Sequence, residues 1–252
     1  MIILKSPEEL EKIARACQIV AKALAHLRDM IMPGVATRTL EEFADTYIRS
    51  HDAVPAFKGY RGYPASICAS VNNEVIHGIP SDRVLEEGDI VGIDLGVYKD
   101  GFYGDAAYTF GVGRITPEAE ALLRVTEESL YLGIANARKS NRVSDVSHAI
   151  QQHVELHGFS VVRAFVGHGI GRALHEDPQI PNFGPPGRGP RLSPGMTIAI
   201  EPMVNAGGHE VVVLDDGWTA VTLDGTWSAH FEHTIAVTED QPRILTKINE
   251  KA

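Results

Sequence analysis

Residues 92–105 read Gly-Ile-Asp-Leu-Gly-Val-Tyr-Lys-Asp-Gly-Phe-Tyr-Gly-Asp, and this stretch decides how the chain is organised. Ile90 to Tyr98 and Phe102 to Phe110 have the β-branched and aromatic content of two strands, and Asp100-Gly101 is a hairpin turn signal between them. With Lys99 opposite Phe102, Gly96 falls opposite Asp105 and Asp94 lies two residues along on the same face. The two carboxylates become diagonal neighbours, with Cβ atoms about 7–8 Å apart, a gap that one cation can bridge. On the hairpin alone three readings stay open: a metal site, a solvated strand face, or a hydrogen-bonded acid pair.

Helical patterns lie on both sides of the hairpin region. Ser6-Pro7-Glu8-Glu9 carries a helix cap, Pro at the first position and Glu at the third, and apolar residues then recur from Leu10 to Leu24, so a long amphipathic helix is expected to end by Pro33-Gly34. Thr39 and Glu42 suggest a second capping pair and a helix through Tyr47. Strands are expected at Ile67–Val71 and Val75–Ile79. After the hairpin, Thr116-Pro117 opens a third helix, and Ser144 a fourth that stops at Gly158. Strands follow at Phe159–Val166, Thr197–Glu201, Val211–Leu214, Thr219–Leu223 and His230–Thr238, with a Gly/Pro-rich loop at Gly184–Pro190.

The pattern is α+β: helices covering an antiparallel sheet core, in a helix–helix–strands order that occurs twice and suggests two pseudo-twofold halves. One domain over residues 1–252 is expected.

Composition is that of an ordinary globular chain, 44% hydrophobic and 22% charged, which argues against disorder and fibrous folds. The start shows no leader pattern, and no apolar run approaches bilayer length. Two cysteines, Cys17 and Cys68, make no disulfide framework, which suits a reducing compartment, the cytoplasm. A net charge of −10 argues against a general affinity for DNA or RNA.

Further acids and a histidine occur where strands predict burial. In Thr197–Pro202 the two isoleucines share one face and Glu201 lies on the other; in His230–Val237, Glu232 opposes Phe231, Ile235 and Val237. His168 sits in Val166-Gly-His-Gly-Ile-Gly171, where glycines allow close backbone approach. Its G-x-G-x-G spacing, with Arg172 at the last glycine position and no helix following, is not a dinucleotide fingerprint.

Five motifs together resemble the type I methionine aminopeptidases: "SVNNEVIHGIP", "IDLGVYKDGFYGD", "GHGIGRALHEDP", "TIAIEPM" and "FEHTIAVT", in that family's order and near its spacing from about Ser6 to Thr238. The resemblance implies a pita-bread fold and a dinuclear metal centre with Asp94, Asp105, His168, Glu201 and Glu232 as ligands, Asp105 and Glu232 bridging. It implies that the centre activates the water attacking the first peptide bond, that Glu201 shuttles a proton to the leaving amine, and that His77 and His175 assist as non-ligand hydrogen-bonding groups. The oxygen-rich ligand set suits Fe²⁺, Mn²⁺ or Co²⁺, with Zn²⁺ as the alternative. His233 is left structural, on the strand face opposite Glu232.

The resemblance further implies a methionine pocket lined by Tyr60, Tyr63, Cys68, Leu174 and Trp218, an apolar set suited to a thioether. Leu174 departs from the Phe that many relatives carry there, Ala173 replaces a Gly, and Phe57 stands where some relatives have Cys. Asn72 and Ser228 match positions that bind a monovalent cation in some relatives. The implied substrate is the N-terminal Met of nascent polypeptides with a small second residue, with transient ribosome association, a monomeric state and no membrane. Arg188 and Arg191 are candidates for an RNA contact.

Rival readings share the fold, with related catalysis or with none. Xaa-Pro aminopeptidases and prolidases share the ligand set but carry a substantial preceding domain, whereas the first fold helix here starts at Ser6. Type II enzymes carry a long insertion between His168 and Glu201, which here are only 33 positions apart. A non-catalytic pita-bread binding protein would be expected to lose ligands, and all five are present.

Overall fold

The first half of the chain forms α1 (Pro7–Met30), α2 (Thr37–Ser50), β1 (Val54–Pro55), β2 (Cys68–Val71), β3 (Glu74–Ile76), β4 (Ile90–Lys99) and β5 (Phe102–Gly111). The second half forms α3 (Pro117–Asn136), α4 (Val143–Leu156), β6 (Ser160–Val161), β7 (Gly167–Gly169), β8 (Glu176–Ile180) and β9 (Thr197–Ile200). It continues with β10 (Met203–Asn205), β11 (Val211–Val213), β12 (Ala220–Thr222), β13 (Ser228–His230), β14 (His233–Ala236) and β15 (Arg243–Ile244). The computed structural model describes residues 1–247, so 248–252 of the expected domain lie outside the described residues.

Two cap expectations hold in detail. Ser6 and Glu9 form a reciprocal capping box at the start of α1, and the Thr116 hydroxyl accepts from Ala119 N at 3.2 Å at the start of α3. The Thr39 cap does not: α2 begins two residues earlier, at Thr37. There the Thr37 hydroxyl donates to Ser81 O at 3.0 Å and Ala36 bridges to Val84, so tertiary bonds to the segment before β4 fix the helix start. The fourth helix likewise starts at Val143, one residue before Ser144, with the Asp145 carboxylate accepting from Arg142 N at 2.7 Å.

Among the described residues every strand pairing is antiparallel, but the core is divided among four hydrogen-bonded sheets of four, three, three and five strands. The first half packs α1 and α2 on β2 and β4 through Val20, Leu24, Leu27, Leu40, Ile93 and Leu95. The second packs α3 and α4 on β9, β13 and β14 through Leu130, Ile150, Ile198, Ala229 and Ile235. All these side chains are buried, and each Leu or Ile contributes about 1.5–3 kcal/mol relative to exposure.

The hairpin has the expected register: Lys99 pairs with Phe102 and Gly96 with Asp105. Asp100 and Gly101 both take positive φ, 52° and 87°, the left-handed pair that a type I′ turn requires. Asp94 pairs with Ala107 and therefore lies diagonal to Asp105.

The strand expected at His230–Thr238 breaks. Phe231 N donates to Pro202 O and Glu232 N to Ala107 O, which separates β13 from β14 and turns Glu232 towards β5. The strand expected at Phe159–Val166 shrinks to the two residues of β6. Conversely β8, a segment to which the sequence assigned no strand and which contains Pro178, pairs with β7. Close neighbours on both sides of β7 explain the glycines beside His168: a Cβ on Gly169 would lie 2.2 Å from Asp177 O of β8, and one on Gly167 2.4 Å from Ala199 O of β9.

Candidate metal centre and substrate cavity

Four strands and one break between strands converge on a single cavity of about 160 Å³. β4 and β5 bring Asp94 and Asp105, β7 brings His168, the end of β9 brings Glu201, and the β13–β14 break brings Glu232. Each is held by backbone bonds beside it. His168 pairs with Ala199 across β7 and β9, Asn182 Nδ2 donates to Glu201 O at 3.0 Å, and the Thr234 hydroxyl donates to Asp105 O at 2.7 Å.

Oxygen and nitrogen donor atoms of Asp105, His168 and Glu232 lie within 4.8 Å of one another, and His168 Nε2 is 3.5 Å from Glu201 Oε1. Asp105, His168, Glu201 and Glu232 are buried, while Asp94 is half-buried at the cavity wall. Burial is the main cause that raises all four carboxyl pKa values, Asp94 to about 7, and mutual repulsion raises Asp105, Glu201 and Glu232 further. Burial likewise lowers His168 to about 3, so its imidazole is neutral at pH 7.

These residues fit divalent cations. Asp94 Oδ1, Asp105 Oδ1 and Glu232 Oε1 are buried with no hydrogen-bond partner among the described residues, a costly arrangement that a bound cation relieves. His168 Nδ1 lies 2.9 Å from Gly169 O and so carries the proton, which leaves the Nε2 lone pair facing the carboxylates.

The remaining wall is largely apolar. Tyr63, Cys68 and Leu174 are buried, and Tyr63 meets Trp218 edge-on with ring centroids 5.1 Å apart. The Tyr63 hydroxyl donates to Ile67 O and Gly78 O, which locks the ring. Tyr60 OH lies 2.8 Å from His175 Nδ1, and the His175 and His168 ring centroids are 4.2 Å apart. His77, in the left-handed region at φ 60°, meets Trp218 and Phe165 edge-on. Burial lowers the pKa of His77, to about 4, and that of His175, which Arg61 depresses further.

All twelve residues named from the sequence therefore border one cavity. Sequence reading took no consequence from Phe57 and missed Arg61, both of which line it. It also missed His230, whose Nε2 is buried, without a hydrogen-bond partner among the described residues, and 3.8 Å from Glu201 Oε2. Its signal was its position two residues before Glu232, which strand alternation puts on the same side. His233 turns away as expected, with Nδ1 2.8 Å from the Thr246 hydroxyl and Nε2 facing Tyr108 and Tyr131. Asn72 and Ser228 do meet, through Ser228 N–H to Asn72 O at 2.9 Å.

A family model described as metallopeptidase family M24 matches residues 11–239. The chain belongs to that family. Within M24, a methionine aminopeptidase from Clostridium perfringens is 55% identical over 248 residues, covering 98% of this chain and 100% of the relative. The crystal structure of a methionine aminopeptidase from Thermotoga maritima has a TM-score of 0.97 at 51% identity, covering 98% and 100%. A prolidase from Pyrococcus horikoshii shares the fold at a TM-score of 0.81 and 23% identity, and this chain spans 65% of its length. The pita-bread expectation and the type I assignment both hold, and this M24 chain is a metal-dependent aminopeptidase. No helix among the described residues is long and apolar enough to cross a membrane.

Proposed function

We propose that this metallopeptidase, as one catalytic domain, removes the N-terminal methionine from nascent proteins and peptides whose second residue is small. The observation that carries the reading is the junction of two unlike surfaces in one small cavity: four carboxylates and His168 on one side, and Phe57, Tyr63, Cys68, Leu174 and Trp218 on the other. A site of this size suits one flexible apolar side chain beside a hydrolytic centre.

Asp94, Asp105, His168, Glu201 and Glu232 would hold two divalent ions. Four carboxylates balance two dications, and the mostly oxygen donor set favours Fe²⁺, Mn²⁺ or Co²⁺, with Zn²⁺ the alternative. The chemistry supplied by the ions, when bound, is polarisation of the scissile carbonyl and a lowered pKa for the attacking water. Glu201 would accept a proton from the attacking water and return it to the leaving amine. Tyr60 OH lies 2.8 Å from His175 Nδ1; with the hydroxyl as donor, the His175 proton would sit on Nε2 and be available to the carbonyl oxygen of the substrate. His77, neutral through burial, contributes its ring beside the scissile amide.

Monomeric action near the ribosome in the cytoplasm follows from the family reading. Arg188 and Arg191 stand exposed on the Gly184–Pro190 side, although the Arg191 guanidinium already donates to Ser140 O. Sedimentation with ribosomes, compared between the wild type and Arg188→Glu, tests the contact.

Release of free methionine from Met-Ala-Ser in the presence of Mn²⁺ or Co²⁺ tests the central reading. No release would exclude it in favour of a binding protein, and preferential release of the residue before proline from Ala-Pro peptides would favour the Xaa-Pro reading.

A further inference from the structure

A second cluster of metal-ligating side chains lies where α3 meets α4, and it shares no residue with the catalytic cavity. His153 lies in the last turn of α4 and His157, four residues on, is the residue that caps its C-terminal end, so the two rings come together at that end of the helix. Their centroids are 4.5 Å apart. Glu128 of α3 reaches across to them, with its Oε2 3.0 Å from His153 Nε2. One donor atom from each of the three lies within 4.8 Å of the other two.

The local bonding prepares these atoms for a cation. His157 Nδ1 lies 2.8 Å from His153 O and so carries the proton, leaving the Nε2 lone pair available. The pair lies at the C-terminal end of α4, where unpaired carbonyls and the helix dipole favour positive charge. A tetrahedral ion with bonds of about 2.0–2.1 Å spaces its ligands by roughly 3.3 Å. Glu128 and His153 are already near that spacing, and His157, exposed at the helix end, closes the remainder by a side-chain rotation.

We propose that Glu128, His153 and His157 form a separate binding site for one borderline divalent ion such as Zn²⁺, which clamps α3 to α4 and leaves one coordination position to water. Two imidazoles and one carboxylate make a more nitrogen-rich set than the four carboxylates and one imidazole of the cavity. The outer site therefore selects Zn²⁺, Ni²⁺ or Cu²⁺ over Mn²⁺. It also binds an equivalent of metal that plays no part in peptide hydrolysis. Its competitor is Arg124, whose Nη1 lies 3.1 and 3.2 Å from the Glu128 oxygens in an exposed i,i+4 pair. Such pairs are weak, and a bound dication displaces the guanidinium.

The test is calorimetric titration of the full chain with Zn²⁺, counting equivalents, with methionine release measured in parallel. The wild type binds one more equivalent than His157→Ala, whose substitution is on the surface and leaves peptide hydrolysis unchanged. Arg124→Ala keeps that equivalent and binds it several-fold more tightly, because the competing cation is gone. Added Zn²⁺ raises the Tm of a Glu128→Gln variant by less than that of the wild type. Equal Zn²⁺ counts in wild type and His157→Ala, or loss of the outer equivalent in Arg124→Ala, overturn the proposal. Neither count depends on methionine release, so a failure of the catalytic reading stays distinguishable.

Discussion

Lys5 Nζ lies 2.6 Å from Glu176 Oε2, and the two side chains are only 3% and 7% exposed. The other Glu176 oxygen accepts from Arg172 N at 2.7 Å and Ala173 N at 3.2 Å, so the carboxylate pins the turn that carries Leu174 and His175 into the cavity. Lys5 is itself fixed by its backbone N–H to Gly195 O at 2.8 Å and by Nζ to Ile3 O. Removing one partner leaves a buried charge unpaired, so Lys5→Met is expected to cost about 3–5 kcal/mol of stability. Because the loosened turn holds both a pocket wall and a hydrogen-bond donor, KM for Met-Ala-Ser should rise while kcat falls. Denaturant melts and kinetics check both, and the double variant Lys5→Met/Glu176→Gln should regain part of the stability. Unchanged melts and kinetics in Lys5→Met would mean that the pair does not position the turn.

Asp105 and His175 separate metal holding from transition-state contact. Asp105→Ala removes a buried carboxylate that sits with His168 and Glu232 in one donor cluster, so two-site metal binding should be lost together with nearly all activity. His175→Ala removes a group that meets Tyr60 rather than the carboxylates, so metal loading should persist while kcat falls by roughly 10²-fold or more. Metal analysis of the purified variants, alongside methionine release, checks the pair. Loss of metal from His175→Ala would reassign it as a ligand.

The hairpin and its acids were legible in the sequence because alternation, a type I′ turn and residue identity all point to one register. Glu201 was legible for the same reason, as the polar residue of an otherwise apolar strand. What was not legible depends on bonds between distant segments. The break at Phe231–Glu232 arises from acceptors at Pro202 and Ala107, which no local pattern records. β8 carries Pro178 and no strand pattern, and the start of α2 is set by a hydroxyl bond to Ser81 rather than a local cap. Arg61 escaped notice because its place at the cavity follows from a left-handed backbone at φ 49°, and an arginine does not announce that conformation.

Phe57 and Leu174 pack in one cluster with Ala56, Ile170 and Tyr60. These two departures from the resembled family therefore share one apolar wall, and the ring at 57 is expected to offset the volume that a Phe at 174 would supply. Leu174→Phe alone should overpack the wall and cost about 1–3 kcal/mol. Phe57→Cys alone should enlarge the pocket and raise KM for methionyl peptides. The double variant should recover most of both losses, with a coupling energy of about 0.5–3 kcal/mol. Thermal melts and KM over the four-protein cycle check it, and strictly additive losses would disprove the exchange.

The clustered acids also set a pH dependence in the metal-free protein. Burial raises the Asp94 carboxyl to about 7 in the folded chain, whereas the unfolded chain has it near the ordinary value of about 4. Between those two values the folded state binds the extra proton, so this group lowers stability as pH rises from about 4 to about 7, and the cost is complete above 7. Asp94→Asn keeps the size of the side chain and removes the charge. Without metal it should therefore be more stable than the wild type at pH 8, on the order of 2 kcal/mol, since the half-buried position softens the effect. The advantage should shrink as pH falls through 7 and vanish near pH 4. With saturating Mn²⁺ the order should reverse, because the wild type keeps a ligand that the variant has lost. Chelator-treated and metal-loaded melts across pH 4–8 check both halves; a wild type more stable than Asp94→Asn at pH 8 without metal would show that the carboxylate is not destabilised by its burial.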